Sequence, residues 1–162
     1  MTNSITIRPA KLAEAPALEP LFEALDEHHR LALPHIFRKP SAARREQSWL
    51  EERIAGSDST ILIAEGVDGQ IIGLAVLVTR AIAASTVRDA RRIVEIDELV
   101  VTAEARLLGV GRCLIQEAKN WARERNIPDL EVCAWSFNRE TIEFYERAGF
   151  QPTVLRFAMA SK

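Results

Sequence analysis

Gly109 and Gly111, separated by Val110 and flanked by Arg106 and Arg112, are the residues of this 162-residue chain whose types and spacing point most directly to chemistry. Glycine lets backbone come within hydrogen-bonding distance of a ligand, because no Cβ intervenes. Where such a pair opens a helix, the free first-turn N–H groups and the helix dipole favour an anion, and a diphosphate is the natural occupant. The same spacing also suits a tight turn with close helix packing. Two familiar phosphate loops do not fit. A dinucleotide fingerprint needs a third glycine where Leu114 stands, and a P-loop needs Lys-Ser/Thr where Arg112-Cys113 stands.

Proton chemistry has its own candidates. Glu95, Asp97 and Glu98 crowd one short stretch, as a general base or as solvated charges at a sheet rim. On a regularly alternating strand Glu95 and Asp97 share a face and Glu98 points the other way. Tyr145, the chain's one tyrosine, can donate a phenolic proton or pack amphipathically between a helix and a sheet. His28, His29 and His35 have Asp26 and Glu27 nearby, but no spacing supplies the three or four donors that a metal requires. Cys113 and Cys133 lie twenty positions apart, form no CxxC pair, and lack a neighbouring histidine to activate either thiol; both read as small core or near-core residues.

These residues need elements to position them. Ile5 and Ile7 alternate with polar neighbours, which predicts a short first strand. Leu12, Leu18, Leu21, Phe22 and Leu25 recur at helical spacing over 11–29, with an irregular start expected at Pro16 and Pro20. A loop is expected over 31–39. Ser41 is then placed to cap a helix through Trp49, Leu50 and Ile54 that Gly56 stops. The β-branched runs 60–64 and 70–79 flank Asp68-Gly69, a signal for a type I′ hairpin, and 92–101 reads as another antiparallel strand. A helix over 111–125 carries Leu114, Ile115, Ala118, Trp121 and Ala122 on one face. Beyond it come a strand over 130–135, a short helix capped by Asn138 and ended by Gly149, and a last strand over 150–159. This β-α-β crossover makes part of the sheet parallel.

Two stretches together resemble a known family. Glu98-Leu99-Val100-Val101 leading to Arg106-Leu107-Leu108-Gly109-Val110-Gly111 is similar to the central motif of the GNAT superfamily of N-acetyltransferases, a strand followed by Gln/Arg-x-x-Gly-x-Gly/Ala. Asn138 with Phe144-Tyr145-Glu146-Arg147-Ala148-Gly149-Phe150 resembles its second motif. The likeness is sharp over about 95–150. It implies that Arg106, Leu107, Leu108, Gly109, Val110, Gly111 and Arg112 wrap the pyrophosphate of acetyl-CoA. It implies that Leu99, Val100 and Val101 pair with the pantetheine arm where the sheet splays from strand 130–135, as an added strand would. Asn138 would touch the CoA arm and Tyr145 would lie beside the sulfur as the acid that protonates the thiolate. Glu95 and Glu98 are rival bases. The loop after the first helix walls the acceptor pocket in relatives, and Asp26, His29 and Phe37 are suitable linings. Leu107-Leu108 departs from the basic residue and glycine that many members carry there.

The resemblance implies an α/β (α+β) fold: one domain over 1–162 with a mixed, twisted sheet of six or seven strands, an antiparallel first half, a parallel splayed centre and about four flanking helices. The expected function is acetyl-CoA-dependent transfer of an acetyl group directly to a primary amine of a small molecule or protein, without metal. A non-catalytic CoA-binding sensor or interaction module of the same fold is the alternative. Composition agrees with an ordinary globular chain, at 48% hydrophobic and 27% charged residues. With 21 Lys and Arg against 23 Asp and Glu, the net charge of -2 argues against coating nucleic acid or an anionic membrane, and Arg44-Arg45 and Arg91-Arg92 read as solvated faces. No run is apolar for the roughly 18 residues of a membrane span, and the first eight residues are unlike a signal peptide, so the expected location is the cytoplasm. Homodimerisation through the last strands is compatible with the pattern, and no specific feature demands it.

Overall fold

The structure, a computed structural model, describes residues 5–39 and 45–159. Five strands lie in one sheet in sequence order: β1 (Thr6–Pro9), β2 (Ser59–Glu65), β3 (Ile71–Ile82), β4 (Arg91–Val101) and β5 (Leu130–Val132). The first three pairings are antiparallel and the last, β4 with β5, is parallel. Among the described residues four α-helices flank it: α1 (Ala15–Ala32), α2 (Gln47–Ala55), α3 (Val110–Glu124) and α4 (Arg139–Arg147).

β2 and β3 are buried on both faces, which is why they read as nearly continuous apolar runs rather than alternating ones. Their residues alternate between two cores. Leu62, Ala64, Ala75 and Leu77 join Leu114, Ala118 and Trp121 of α3, whereas Ile61, Ile63, Leu74 and Val76 join Leu18, Phe22 and Leu50 of α1 and α2. α3 supplies the crossover between the parallel strands β4 and β5.

Several expectations change. The irregular start of the first helix is a 3-10 turn over Leu12–Glu14, after which α1 accepts Pro16 in its first turn and Pro20 inside it. α1 runs to Ala32 rather than giving way at 31; Leu33, kept out of the helical region by the following Pro34, ends it. Ser41 and Arg44 lie outside the described residues, and α2 starts from Glu46 without a side-chain cap. The β2–β3 hairpin is not type I′. Gly69 alone has positive φ (78°), and its N–H donates to the Gly66 carbonyl across Val67 and Asp68, 3.0 Å away. The strand over 130–135 stops at Val132. Among the described residues the sheet has five strands, not six or seven, because 150–159 has strand-like sequence but no partner to pair with.

Candidate functional site

The sheet opens where β4 meets β5. Only Val94, Glu95 and Ile96 pair with Leu130, Glu131 and Val132; β4 then continues to Val101 paired with β3 alone. The Thr102 N–H donates to the Ile72 carbonyl at 3.0 Å on the β3 side. By antiparallel alternation the peptide groups of Leu99 and Val101 therefore face the open edge, with no strand among the described residues to satisfy them. Val100 turns its peptide groups towards β3 and its side chain into the α1/α2 core.

The same end of β4 delivers the chain, through a 3-10 turn (Ala103–Ala105), to the glycine loop. Arg106, Leu107, Leu108, Gly109 and Arg112 are exposed. Gly109, the N-cap of α3, sits at φ 84°, and a Cβ on it would meet nothing within 4 Å. The amides of Val110, Gly111 and Arg112 belong to the first turn, ahead of the first helical bond from Cys113 N–H to the Gly109 carbonyl at 3.1 Å. This is an open cradle of donors at a positive helix end. Leu107 also has positive φ (68°), a costly conformation for a leucine, and it buries nothing. Gly111 has a different reason to be glycine: a Cβ there would stand 2.8 Å from Cζ of Phe144. It seats α4 on α3.

Asn138 caps α4, its Oδ1 accepting from the Thr141 N–H at 3.3 Å. That helix carries Tyr145 into the α3-side core between Phe144 and Phe150, with ring centroids 5.3 and 5.6 Å away. Burial pushes the phenol up to about 12, so it stays protonated at neutral pH. Its hydroxyl makes no hydrogen bond among the described residues, yet it is not one of the sealed, unpartnered polar atoms.

The carboxylates depart from simple alternation. β4 bulges at Asp97, since Val76 pairs with Glu98 while Leu77 pairs with Ile96. The extra residue turns Glu98 to the same face as Glu95, the face of α1 and α2, instead of opposite it. Glu95 and Asp97 bond Arg80 at 2.5 and 3.4 Å. Glu98 bonds Arg45 at 2.7 Å, and Arg45 also grips Asp26 of α1 at 2.9 Å. Far from a solvated face, Arg45 is largely buried and lies over the rings of Phe22 and Trp49. Arg91 and Arg92 are exposed as expected. Burial raises the Glu98 carboxyl above its usual range, with Arg45 opposing, and Oε2 of Glu98 is sealed without a partner among the described residues.

Aromatic side chains continue this wall. The His29 ring lies 5.2 Å from Phe37 and 6.0 Å from Phe137; Phe37 lies 5.4 Å from Trp135, and His28 lies 5.6 Å from Phe137. His29 Nδ1 donates to the Leu25 carbonyl at 2.9 Å, and burial lowers its pKa, so the ring stays neutral with Nε2 as an acceptor. Asp26 is thus brought to Glu98 through Arg45, and Phe37 to His29, one turn further along α1. Trp135 and Phe137, just before Asn138, were not singled out from sequence; their alternate spacing beside that cap was the available signal. Cys133 is exposed and Cys113 half-buried, so Cys133 is no core thiol. Among the described residues no three His, Cys, Asp or Glu side chains cluster as metal ligands, and no helix is long and apolar enough to cross a membrane.

The model of the acetyltransferase (GNAT) family matches residues 22–150 of this chain. The chain belongs to that family. It is 30% identical over 147 residues to the uncharacterized N-acetyltransferase YhfO of Bacillus subtilis, a match spanning 91% of this chain and 90% of the relative. Among solved structures, a tetramutant of the BH1408 protein of Bacillus halodurans superposes with a TM-score of 0.90 at 20% identity, over 96% of this chain and 99% of that one. The aminoglycoside N-acetyltransferase AAC(6')-Iy, solved in complex with CoA, superposes with a TM-score of 0.78 at 20% identity, over 100% and 97% of the two chains. The antiparallel half, the parallel pair and the flanking helices of this GNAT chain are therefore the family's architecture.

Proposed function

We propose that this GNAT chain, acting as one domain, transfers the acetyl group of acetyl-CoA directly to a primary amine. The observation that carries the reading is the splay between β4 and β5. It leaves the Leu99 and Val101 peptide groups free beside the donor-lined start of α3, so an extended, amide-bearing arm ending in a diphosphate can pair with the first and seat its phosphates on the second. Backbone amides from Leu107 to Arg112, with the Arg106 and Arg112 side chains, hold the diphosphate. Asn138 has Nδ2 left over from capping for the arm.

The two faces of the sheet meet at this edge with complementary chemistry. Tyr145 on the α3 face has a protonated, unengaged phenol for the departing thiolate. Glu95 and Glu98 lie on the other face, where the amine must lose a proton before it attacks the thioester carbonyl. Glu98 suits the base better. Burial raises its proton affinity, and that decides between them, since each carboxylate holds a guanidinium, Arg45 on Glu98 and Arg80 on Glu95. Asp26, His29 and Phe37, extended by Trp135 and Phe137, line the acceptor side, and their mix of negative charge and aromatic faces fits a small cationic amine.

Acetyl-CoA should raise the melting temperature while NADH and ATP do not, since only a ligand selective for the folded state stabilises it. An amine panel assayed by thiol release then separates enzyme from sensor. Equal stabilisation by NADH would overturn the CoA assignment, and CoA binding without thiol release from any amine would favour the sensor.

A further inference from the structure

Five aromatic rings meet between α1 and the segment that follows β5. His28 and His29 lie in α1, Phe37 just after it, and Trp135 and Phe137 between β5 and α4. Hydrogen bonds hold both approaches: the Phe37 N–H donates to the Leu33 carbonyl and the Asn138 N–H to the Trp135 carbonyl, each at 2.9 Å. Yet the cluster is not core. None of the five rings belongs to either buried cluster. Trp135 is 43% exposed, His28 is exposed and the other three are half-buried, so aromatic faces meet water where the site opens.

The carboxylates beside the rings are already matched. Asp26 and Glu98 share Arg45, Glu95 and Asp97 share Arg80, and Glu27 holds Arg30. An acceptor with several ammonium groups needs a carboxylate for each, and none of these five stands without a guanidinium. Asp26 and Glu98 with one guanidinium between them keep a single negative charge, which suits a single ammonium. From Asp26 to His29 is one turn of α1, about 4.5 Å of helix axis, so the rings begin a short step from that charge.

We propose, resting on the transferase reading above, that the acceptor is an aralkyl monoamine: one primary amine joined by a short alkyl chain to an aromatic ring. The ring lies among Phe37, Trp135 and Phe137, and the nitrogen faces Glu98. The ammonium gives up its protons through Glu98, the amide N–C bond forms as the thioester C–S bond breaks, Tyr145 protonates the thiolate, and one proton leaves to water. The acceptor ring gains edge and face contacts with side chains already held in place, which keeps the ordering cost low. Polyamines and aminoglycosides bring no such ring, and their further charges meet carboxylates that Arg45, Arg80 and Arg30 already hold.

Thiol release from acetyl-CoA by the full chain tests this, with phenethylamine and tryptamine set against hexylamine, spermidine and kanamycin. The aromatic amines should exceed spermidine and kanamycin in kcat/KM by about 100-fold, since the unmatched charges count against those two. They should exceed hexylamine, which is apolar without a ring, by about 10-fold. Phe37→Ala and Trp135→Ala, on opposite walls of the cluster, should each raise KM for phenethylamine by about 10-fold with kcat changed by less than about 3-fold. Acetyl-CoA affinity, measured separately, shows that each variant is folded; where one is not, the wild-type ranking decides. Spermidine, kanamycin or hexylamine used as well as phenethylamine would overturn the aromatic acceptor and leave the transferase reading standing. A phenethylamine KM indifferent to both substitutions would do the same. Acetyl-CoA binding without thiol release from any of the amines would overturn the transferase reading as well.

Discussion

Gly111→Ala isolates packing from phosphate binding. The substitution places a Cβ 2.8 Å from Phe144 Cζ, whereas carbon atoms rest at about 3.5–4.0 Å, so the ring must retreat by about 0.7–1.2 Å. Phe144 is half-buried against Tyr145, which limits that retreat. Overpacking of this kind costs about 1–3 kcal/mol. Alanine recovers at most about 1 kcal/mol of helix propensity, and less at the second residue of α3, where few helical bonds yet exist. The net expectation is a loss of about 1 kcal/mol, or about 2–4 °C in Tm for a chain of this size. In a Phe144→Leu background the obstruction is gone and the same substitution should be neutral or stabilising, giving a coupling of about 1–2 kcal/mol. Urea denaturation of the four proteins in the cycle measures it. A Gly111→Ala cost that is the same in both backgrounds would refute the packing role. By contrast, Gly109→Ala should be insensitive to Phe144, since its cost is the left-handed backbone alone.

Three other perturbations have definite signs. Tyr145→Phe should lower kcat by about 10²- to 10⁴-fold on whichever amine is accepted, with acetyl-CoA affinity and Tm little changed; a kcat within a factor of two returns Tyr145 to packing. Arg45→Met leaves the Glu98 carboxylate uncompensated in its buried site and should cost about 2 kcal/mol at pH 7 by chemical denaturation. Glu98 has a raised folded pKa, which the variant raises further, so the deficit belongs to the ionised form. It should shrink as pH falls through that pKa towards the ordinary carboxylate value of 4.5 and below; a deficit unchanged between pH 7 and pH 4 would remove Glu98 from its cause. Leu107→Gly should raise Tm by about 1–2 °C. Relief of about 1–2 kcal/mol of left-handed strain exceeds glycine's added unfolded-state entropy of about 0.5–1 kcal/mol, and a fall in Tm would show that the leucine is needed there.

What could be read in advance followed from local rules. The doubly buried runs of β2 and β3, the amphipathic face of α3, the Asn138 cap and the turn at Gly109 each depend on neighbours within a few positions. What could not be read depended on partners far along the chain. Gly111 looks like a ligand-approach glycine until Phe144, thirty-three positions away, is seen above it. Arg45 looks solvated until Asp26 and Glu98 close on it from α1 and β4. The segment 150–159 has a strand's pattern, but a strand needs an edge, and periodicity does not say whether the chain supplies one. The bulge at Asp97 has no signature at all in residue type, which is why strict alternation puts Glu98 on the wrong face.

That bulge constrains how the chain can vary over time. Substitutions in β4 change one side chain, but losing a single residue between Ile96 and Glu98 would restore strict alternation and exchange the faces of everything on one side of the deletion. Either Glu95 would leave the acceptor side together with Val94 and Ile96 leaving the core, or Glu98 would leave it while Leu99 and Val101 rotated their peptide groups away from the open edge. Neither outcome is repaired by a neighbouring substitution. Descendants of this chain can therefore lengthen or shorten the exposed hairpin before Arg91 by any amount, while the eleven residues of β4 drift in identity and keep their number.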